Sequence, residues 1–515
     1  MNVFRRMTWR SRAVVTVFVA GSIAIVAQAA GLRAQSGSTI VWSGLTPLEV
    51  AQYEEEARQQ LGYLPNQVLV KFKDGMSQAS RQRALMALRS RPDIDEVKWA
   101  GPMAIVNDLG QANPHILAQQ LREQPEVEFA EPNYLRHPHS TPTDPGYASR
   151  QWNFPAVDLP KAWDINAGAK DLIVAVLDTG VTNFNGSIVF RMWSGAAIVN
   201  FPVQFAVSPD FSTSRFVTPR DLVGNMGTTI LDMGGHGTHV AGTVGEDTNN
   251  AVMLAGIAYG AMIMPIKVCN SYWDVQFSRS AAGVPGFSPV GSGGCPTSAS
   301  VNGFRYAADN GAKVINFSIG GESASTSEQD AMSYAIGKGT FIAISAGNDY
   351  EAGNQTQYPA KFAETMDGAM AVGALGRTLA HSYYSSSGSY VEIAAPGGDT
   401  RAGGSAGGIW QSTIRASDSD PATVIFPRFD RYDERSFQGT SMASPHVAGI
   451  AALIVSQLGA SATPGLVEQI IKTTAKACTA TSCDPTAAGT RARNDFFGVG
   501  LIQPRTALFG TGLRK

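Results

Sequence analysis

Residues 172–177 read Leu-Ile-Val-Ala-Val-Leu and end on Asp178 and the turn-forming pair Thr179-Gly180. A strand with no polar residue on either face is stable only where both faces are covered, as in a parallel strand between two helical layers. The run therefore predicts an α/β fold, with Asp178 at the carboxyl end of its strand, where open α/β sheets carry their sites. Residues 261–268 and 312–318 read as further buried strands, and 298–310 and 440–457 as helices. Alternating strands and helices of this kind imply a doubly wound, mostly parallel sheet.

Two more segments carry chemistry. Residues 439–449 read Gly-Thr-Ser-Met-Ala-Ser-Pro-His-Val-Ala-Gly, which sets Ser441 at the start of a small-residue helix. Backbone N–H groups and the helix dipole there favour the negative charge of an acyl-transfer transition state. Residues 235–242 read Gly-His-Gly-Thr-His-Val-Ala-Gly, and the glycines leave the His236 imidazole room to meet another element. Singly, an Asp at a strand end is a turn residue and a Ser after Gly-Thr is a cap. Together, in the order Asp178, His236, Ser441, they supply an orienting carboxylate, a base and a nucleophile.

With these motifs and residues 339–348, Gly-Thr-Phe-Ile-Ala-Ile-Ser-Ala-Gly-Asn, the chain resembles the subtilisin-like (subtilase) serine proteases from about residue 151 onward. The resemblance implies a secreted serine endopeptidase that hydrolyses peptide bonds through an acyl-enzyme on Ser441. In it His236 is the general base and Asp178 its partner, and Asn348 with the Ser441 N–H forms the oxyanion hole. It also implies that Ser318, Ile319 and Gly320 face Ala346 and Gly347 as walls of the pocket for the residue before the scissile bond. Asp349 stands at the rim, or is a plain surface acid. Apolar walls favour large uncharged side chains there, with basic ones second. No cofactor is implied for the chemistry; a structural calcium at Asp247, Asn249 and Asn250 is the one metal expectation, against a metal-free Asn-rich turn. His239 and His446 read as structural neighbours, and His115, His137, His139 and His381 as solvated or locally satisfied. Segments 181–231, 270–294 and 415–435 are longer than compact relatives need and are expected to reshape the cleft. The alternatives are a catalytically silent binding member and an esterase using the same triad.

At 515 residues the chain has room for more than one domain. A net charge of −2 gives no basic field, which argues against a nucleic-acid partner. Arg5, Arg6, Arg10 and Arg12 precede an apolar stretch at 13–27 and the small-residue signal Ala27-Gln28-Ala29. Residues 1–29 thus read as a signal peptide, against an uncleaved anchor, and no other segment reads as long and apolar enough to span a bilayer. Export makes disulfides the reading of the four cysteines, with Cys269–Cys295 and Cys478–Cys483 the natural pairing of the three available. Between the signal segment and the region of resemblance, residues 30–140 read as a propeptide whose part at about 66–136 has a split-βαβ plan. Its strands are expected at 66–73, 96–99, 103–107 and 127–131, the last stopped by Pro132, and its helices at 77–89 and 114–122. By the same resemblance this ferredoxin-like prodomain is an intramolecular inhibitor and folding template, self-cleaved between residues 137 and 147. The catalytic domain would then be 141–515, a monomer acting on protein or peptide substrates.

Overall fold

The computed structural model describes residues 46–509 except 60–62, 78, 81–82, 84–95, 101–102, 109–112, 136–140, 167, 169–171, 285–292, 421–425 and 484–492. The signal segment, His137, His139 and most of the expected helix at 77–89 lie outside the described residues. The chain divides into two compact units that meet between Tyr134 and Leu135.

The first unit contains α1 (Pro47–Gln59), β1 (Tyr63–Phe72), β2 (Glu96–Ala100), β3 (Met103–Asn107), α2 (Pro114–Arg122) and β4 (Val127–Tyr134). Its sheet has the order β2-β3-β1-β4, antiparallel throughout, which is the split-βαβ arrangement. Asn113 caps α2 through the His115 N–H and Pro114 fills its first turn, so the helix starts where its sequence says. Leu117, Ala118 and Leu121 then pack on Val68, Val70 and Val106. Pro132 does not stop β4, which runs on to Tyr134 and pairs Pro132 with Val68. As an edge strand, β4 loses no ladder bond to the missing N–H. His115 is half-buried and locally satisfied, its ring meeting Tyr63 at 5.2 Å and Tyr134 at 6.3 Å.

The second unit runs β5 (Ile173–Asp178), β6 (Gly186–Trp193), β7 (Ile198–Phe205), β8 (Arg220–Asp221), α3 (His236–Gly245), β9 (Met262–Lys267), α4 (Tyr272–Ala281), α5 (Thr297–Asp309) and β10 (Val314–Phe317). It continues with α6 (Thr326–Gly337), β11 (Phe341–Ser345), β12 (Ala369–Leu375), β13 (Ile393–Pro396), β14 (Ile409–Ile414), β15 (Tyr432–Phe437), α7 (Thr440–Leu458) and α8 (Pro464–Thr474). Seven strands form one parallel sheet in the order β13-β12-β11-β10-β5-β9-β8. β5 shows why its sequence is apolar throughout. Val174 and Val176 enter the core shared with α3 and α7, while Ala175 and Leu177 enter the core shared with α5 and α6. The chain goes to one side of β5 for β9 and to the other for β10, so the switch point lies between β5 and β10. Such a crevice is where this class of sheet binds ligands.

α7 corrects one expectation: among the described residues it is the one helix long and apolar enough to cross a membrane. It is buried along most of its length as the central helix of the core. The three long segments converge. Phe205 from the first, Trp273 and Phe277 from the second and Phe429 and Tyr432 from the third share one satellite core. Phe190 stacks on Phe277 at 4.2 Å, and Trp273 Nε1 donates to the Ser419 carbonyl. Disulfides join Cys269 to Cys295 and Cys478 to Cys483.

Candidate active site

Asp178 ends β5 and His236 begins α3, and the two meet: His236 Nδ1 lies 2.7 Å from Asp178 Oδ1. The same oxygen accepts the Thr179 N–H at 2.7 Å. Asp178 is fully buried, whereas the His236 side chain is 34 % exposed, so one imidazole edge is open to a reactant. Gly237 is required here, because a Cβ at that position would lie 2.2 Å from the Gly180 carbonyl oxygen. Burial pulls the His236 pKa down. The Asp178 charge and hydrogen bond, with the Asp232 charge behind them, outweigh burial and leave it above the ordinary histidine value.

Ser441 sits in the first turn of α7, after Gly439 at φ 152°. Its hydroxyl donates to the Ser318 carbonyl at 3.1 Å and makes no bond to His236. The reason its helix tolerates Pro445 lies in the same pair. Pro445 has no N–H to give the carbonyl four residues back, which is that of Ser441. The Ser318 hydroxyl supplies the missing donor at 2.9 Å. Ser318 is in turn held by Asn316 Nδ2 at 2.9 Å, and Asn316 Oδ1 accepts from Ser444 Oγ at 2.8 Å. The Ser441 backbone is thus tied across the switch point to the end of β10.

Asn348 follows β11 and is exposed. Its Oδ1 accepts from Thr440 N at 2.9 Å and Thr440 Oγ1 at 3.0 Å, and Thr440 Oγ1 accepts from Gly347 N at 3.1 Å. With the carboxamide oxygen held this way, its N–H₂ has no hydrogen-bond acceptor among the described residues and remains a donor for an anion beside Ser441. Ser318, Ile319 and Gly320 leave β10, and Ala346 and Gly347 leave β11, its neighbour in the sheet. Gln357, which the sequence reading missed, lies against both: a Cβ on Gly347 would come within 2.3 Å of its Cγ, and one on Gly320 within 3.4 Å of its Oε1. Asp349 is half-buried, its N–H donates to Ser386 Oγ, and its carboxylate has no ion-pair partner among the described residues.

The other histidines are structural. His239 Nε2 bonds the Ile409 and Arg435 carbonyls, its ring stacks on Phe437, and burial takes its pKa down to about 3. His446 lies between Asn153 and the Met442 carbonyl and is lowered by burial to about 4. His381 packs among Tyr350, Phe496 and Phe497.

At Asp247, Asn249 and Asn250, the residues of the calcium expectation, the side-chain oxygens meet protein donors. Asp247 is taken by Arg215 at 2.7 Å and by Ser212, Asn249 Oδ1 by Thr143 N, and Asn250 Oδ1 by Val252 N. Their oxygens are satisfied by protein donors, and among the described residues no three His, Cys, Asp or Glu side chains form a metal-holding group. The loop is instead held by acids. Asp144 accepts from Asn249 N and Asn250 N, and Asp210 from Asn250 Nδ2 and Leu254 N.

Residues 169–500 match the subtilase family, and residues 50–133 match the fervidolysin N-terminal prodomain. A thermophilic serine proteinase of Bacillus sp. (strain AK1) is 30 % identical over 398 residues, 77 % of this chain and 79 % of that one. An extracellular protease of Xanthomonas campestris pv. campestris is 31 % identical over 397 residues, 73 % of this chain but 60 % of the relative. A solved protease structure from Pseudoalteromonas arctica superposes with a TM-score of 0.53 at 28 % identity, over 72 % of this chain and 99 % of that one.

Two outcomes follow from this geometry. Ser318→Ala leaves the Ser441 carbonyl without a donor, so kcat should fall with KM little changed; steady-state kinetics on a peptide substrate showing an unchanged kcat would refute the tie. Burial pushes the Asp210 carboxyl up to about 7, and burial with the Asp210 charge raises Glu246 as well. The stability these groups contribute is complete below the ordinary carboxyl value of about 4 and is lost as pH rises through about 7. The Tm of the Ser441→Ala protein should therefore fall across that window, and adding Asp210→Asn should flatten the fall. An equally steep fall in the double variant would contradict the assignment.

Proposed function

The chain belongs to the subtilase family of serine peptidases, and on that premise we propose that it is a secreted endopeptidase made as a self-processing zymogen. The observation that carries the catalytic reading is the convergence of the Asp178–His236 bond, Ser441 at the start of α7 and the Thr440-held Asn348 at one switch point. Secretion is supported by the signal-like residues 1–29 and by the extracellular relative. Zymogen synthesis is supported by the prodomain match, and in this reading residues 30–140 are both chaperone and intramolecular inhibitor.

A peptide substrate adds as a strand beside the residues after β10 and β11. Its N–H groups compete for the Ser318 carbonyl, and a substrate donor there frees the Ser441 hydroxyl. His236 Nε2 accepts that proton as Oγ attacks the scissile carbonyl carbon. Asp178 holds the Nδ1 proton in place and stabilises the imidazolium. Negative charge collects on the former carbonyl oxygen, where Asn348 Nδ2 and the Ser441 N–H donate. The intermediate collapses, the His236 proton goes to the leaving amine, and an acyl-enzyme remains. Water, deprotonated by His236, then hydrolyses it. No metal enters these steps.

Gln357 modifies the expected specificity. A buried amide between two bare walls shortens the pocket, so it takes uncharged side chains of moderate size ahead of the largest aromatics. Asp349, unpaired and half-exposed, adds about 1 kcal/mol or less toward lysine or arginine.

Fluorophosphonate labelling with peptide mapping, joined to a casein assay and gel analysis of the precursor, tests the proposal. Wild-type protein should label at Ser441, digest casein and shed its prodomain; Ser441→Ala should do none of these. Labelling without proteolysis indicates an esterase, and no labelling a silent binding member. In a peptide library, Gln357→Gly should raise the phenylalanine-to-alanine ratio of kcat/KM about tenfold, the value of burying the extra ring. An unchanged ratio would remove Gln357 from the pocket.

A further inference from the structure

Asp232 lies four residues before His236 and is fully buried. Its Oδ1 accepts from Thr179 Oγ1 at 2.9 Å, Gly234 N at 3.0 Å and Gly235 N at 2.8 Å. Its Oδ2 accepts from Thr238 N at 3.0 Å and Thr238 Oγ1 at 2.7 Å. Thr179 Oγ1 accepts in turn from Gly237 N at 2.9 Å, and the Thr179 N–H is the one that bonds Asp178. One carboxylate therefore joins the turn after β5 to the first turn of α3. Those two pieces of chain set the separation of Asp178 and His236.

We infer that Asp232 is a positioning residue for the Asp178–His236 pair, acting through Thr179 on one side and through Gly234, Gly235 and Thr238 on the other. The inference rests on the catalytic reading above. Three physical points support it. The N-cap of α3 is Gly235 at φ 77°, which has no side chain to cap the helix, so Asp232 satisfies the Thr238 N–H from outside. An ionised carboxylate is acceptor-only, which suits a group surrounded by five donors. The helix start favours an anion beside it.

The carboxylate also faces the imidazole as a charge and adds to the effect of Asp178 in keeping His236 easily protonated. The other charged or titratable groups around the pair are few. His239 on α3 is held neutral by burial. Lys267, at the end of β9, gives its ammonium to the Thr179 carbonyl at 2.7 Å and to Asp274 of α4 at 3.1 Å. Arg435 on β15 lies beyond His239, and Tyr432 on the same strand lies near Asp232.

The test compares kcat, KM and the pH profile of kcat/KM for the mature enzyme and the variants Asp232→Asn, Thr179→Val and His236→Ala. Asp232→Asn removes the charge and part of the acceptor set. Its acid limb should move to lower pH, and kcat should fall about tenfold or more with KM little changed. Thr179→Val keeps the charge and breaks the link, so kcat should fall with the acid limb in place. A packing role alone would leave the acid limb of Asp232→Asn unmoved, and that result overturns the inference. So does wild-type kcat in Thr179→Val, which decides the matter if Asp232→Asn does not fold. Retained activity in His236→Ala would instead overturn the catalytic reading itself.

Discussion

The hydrogen bond between the His236 imidazole and Asp178 requires a charged carboxylate in a place without water, which is costly unless the surroundings supply its partners. Oδ1 has two partners, His236 and the Thr179 N–H, while Oδ2 is buried with none among the described residues, so the chain around Asp178 is held rigidly instead. The Asp178 carbonyl is fixed by the N–H groups of Val268 and Cys269, next to a disulfide. Its Oδ1 takes the Thr179 N–H, and Asp232 ties that turn to the His236 helix. β5 is covered on both faces, so its end cannot shift without disturbing two cores. The bond's geometry is inherited from the sheet.

Ser441, the proposed nucleophile, is fixed by a different device on the other side of the switch point. α7 is the core's central helix, and Pro445 near its start exposes the Ser441 carbonyl to a donor from outside the helix. Ser318, Asn316 and Ser444 provide a directional chain of hydrogen bonds to that carbonyl. The Ser441 hydroxyl donates to the Ser318 carbonyl, the acceptor for which, in the proposed mechanism, a peptide N–H competes. On that proposal, substrate binding and release of the Ser441 hydroxyl are linked through one backbone oxygen.

What the sequence made legible was local. The apolar run of β5, the glycines flanking His236 and the Ser441 segment each state their own environment, and the parallel sheet and paired functional groups follow from them. The split-βαβ unit was equally visible, because amphipathic alternation and the Asn113-Pro114 cap are short-range signals. Gln357, the role of Ser318 and the tie of Asp232 to Thr179 were not visible, since each joins residues far apart along the chain. Only the spacing of Asp232 to His236 offered a hint. The ion pair of Asp247 with Arg215 was also hidden, because an acid beside two asparagines reads the same whatever it meets across the fold. The three long segments gave no sign that Phe205, Phe277 and Phe429 would share one core. Pro132 was misread because edge position is a property of the sheet, and the polar α1 lacks the periodicity that announces a helix.

The central claim is that the buried Asp178 charge sets the basicity of His236. Following the His236 imidazole resonances by NMR across the titration, in the Ser441→Ala protein, measures it directly. The account predicts a midpoint above the ordinary histidine value of about 6.5, moving down when Asp178 is replaced by asparagine. A midpoint below the ordinary value, or one indifferent to Asp178→Asn, would contradict it.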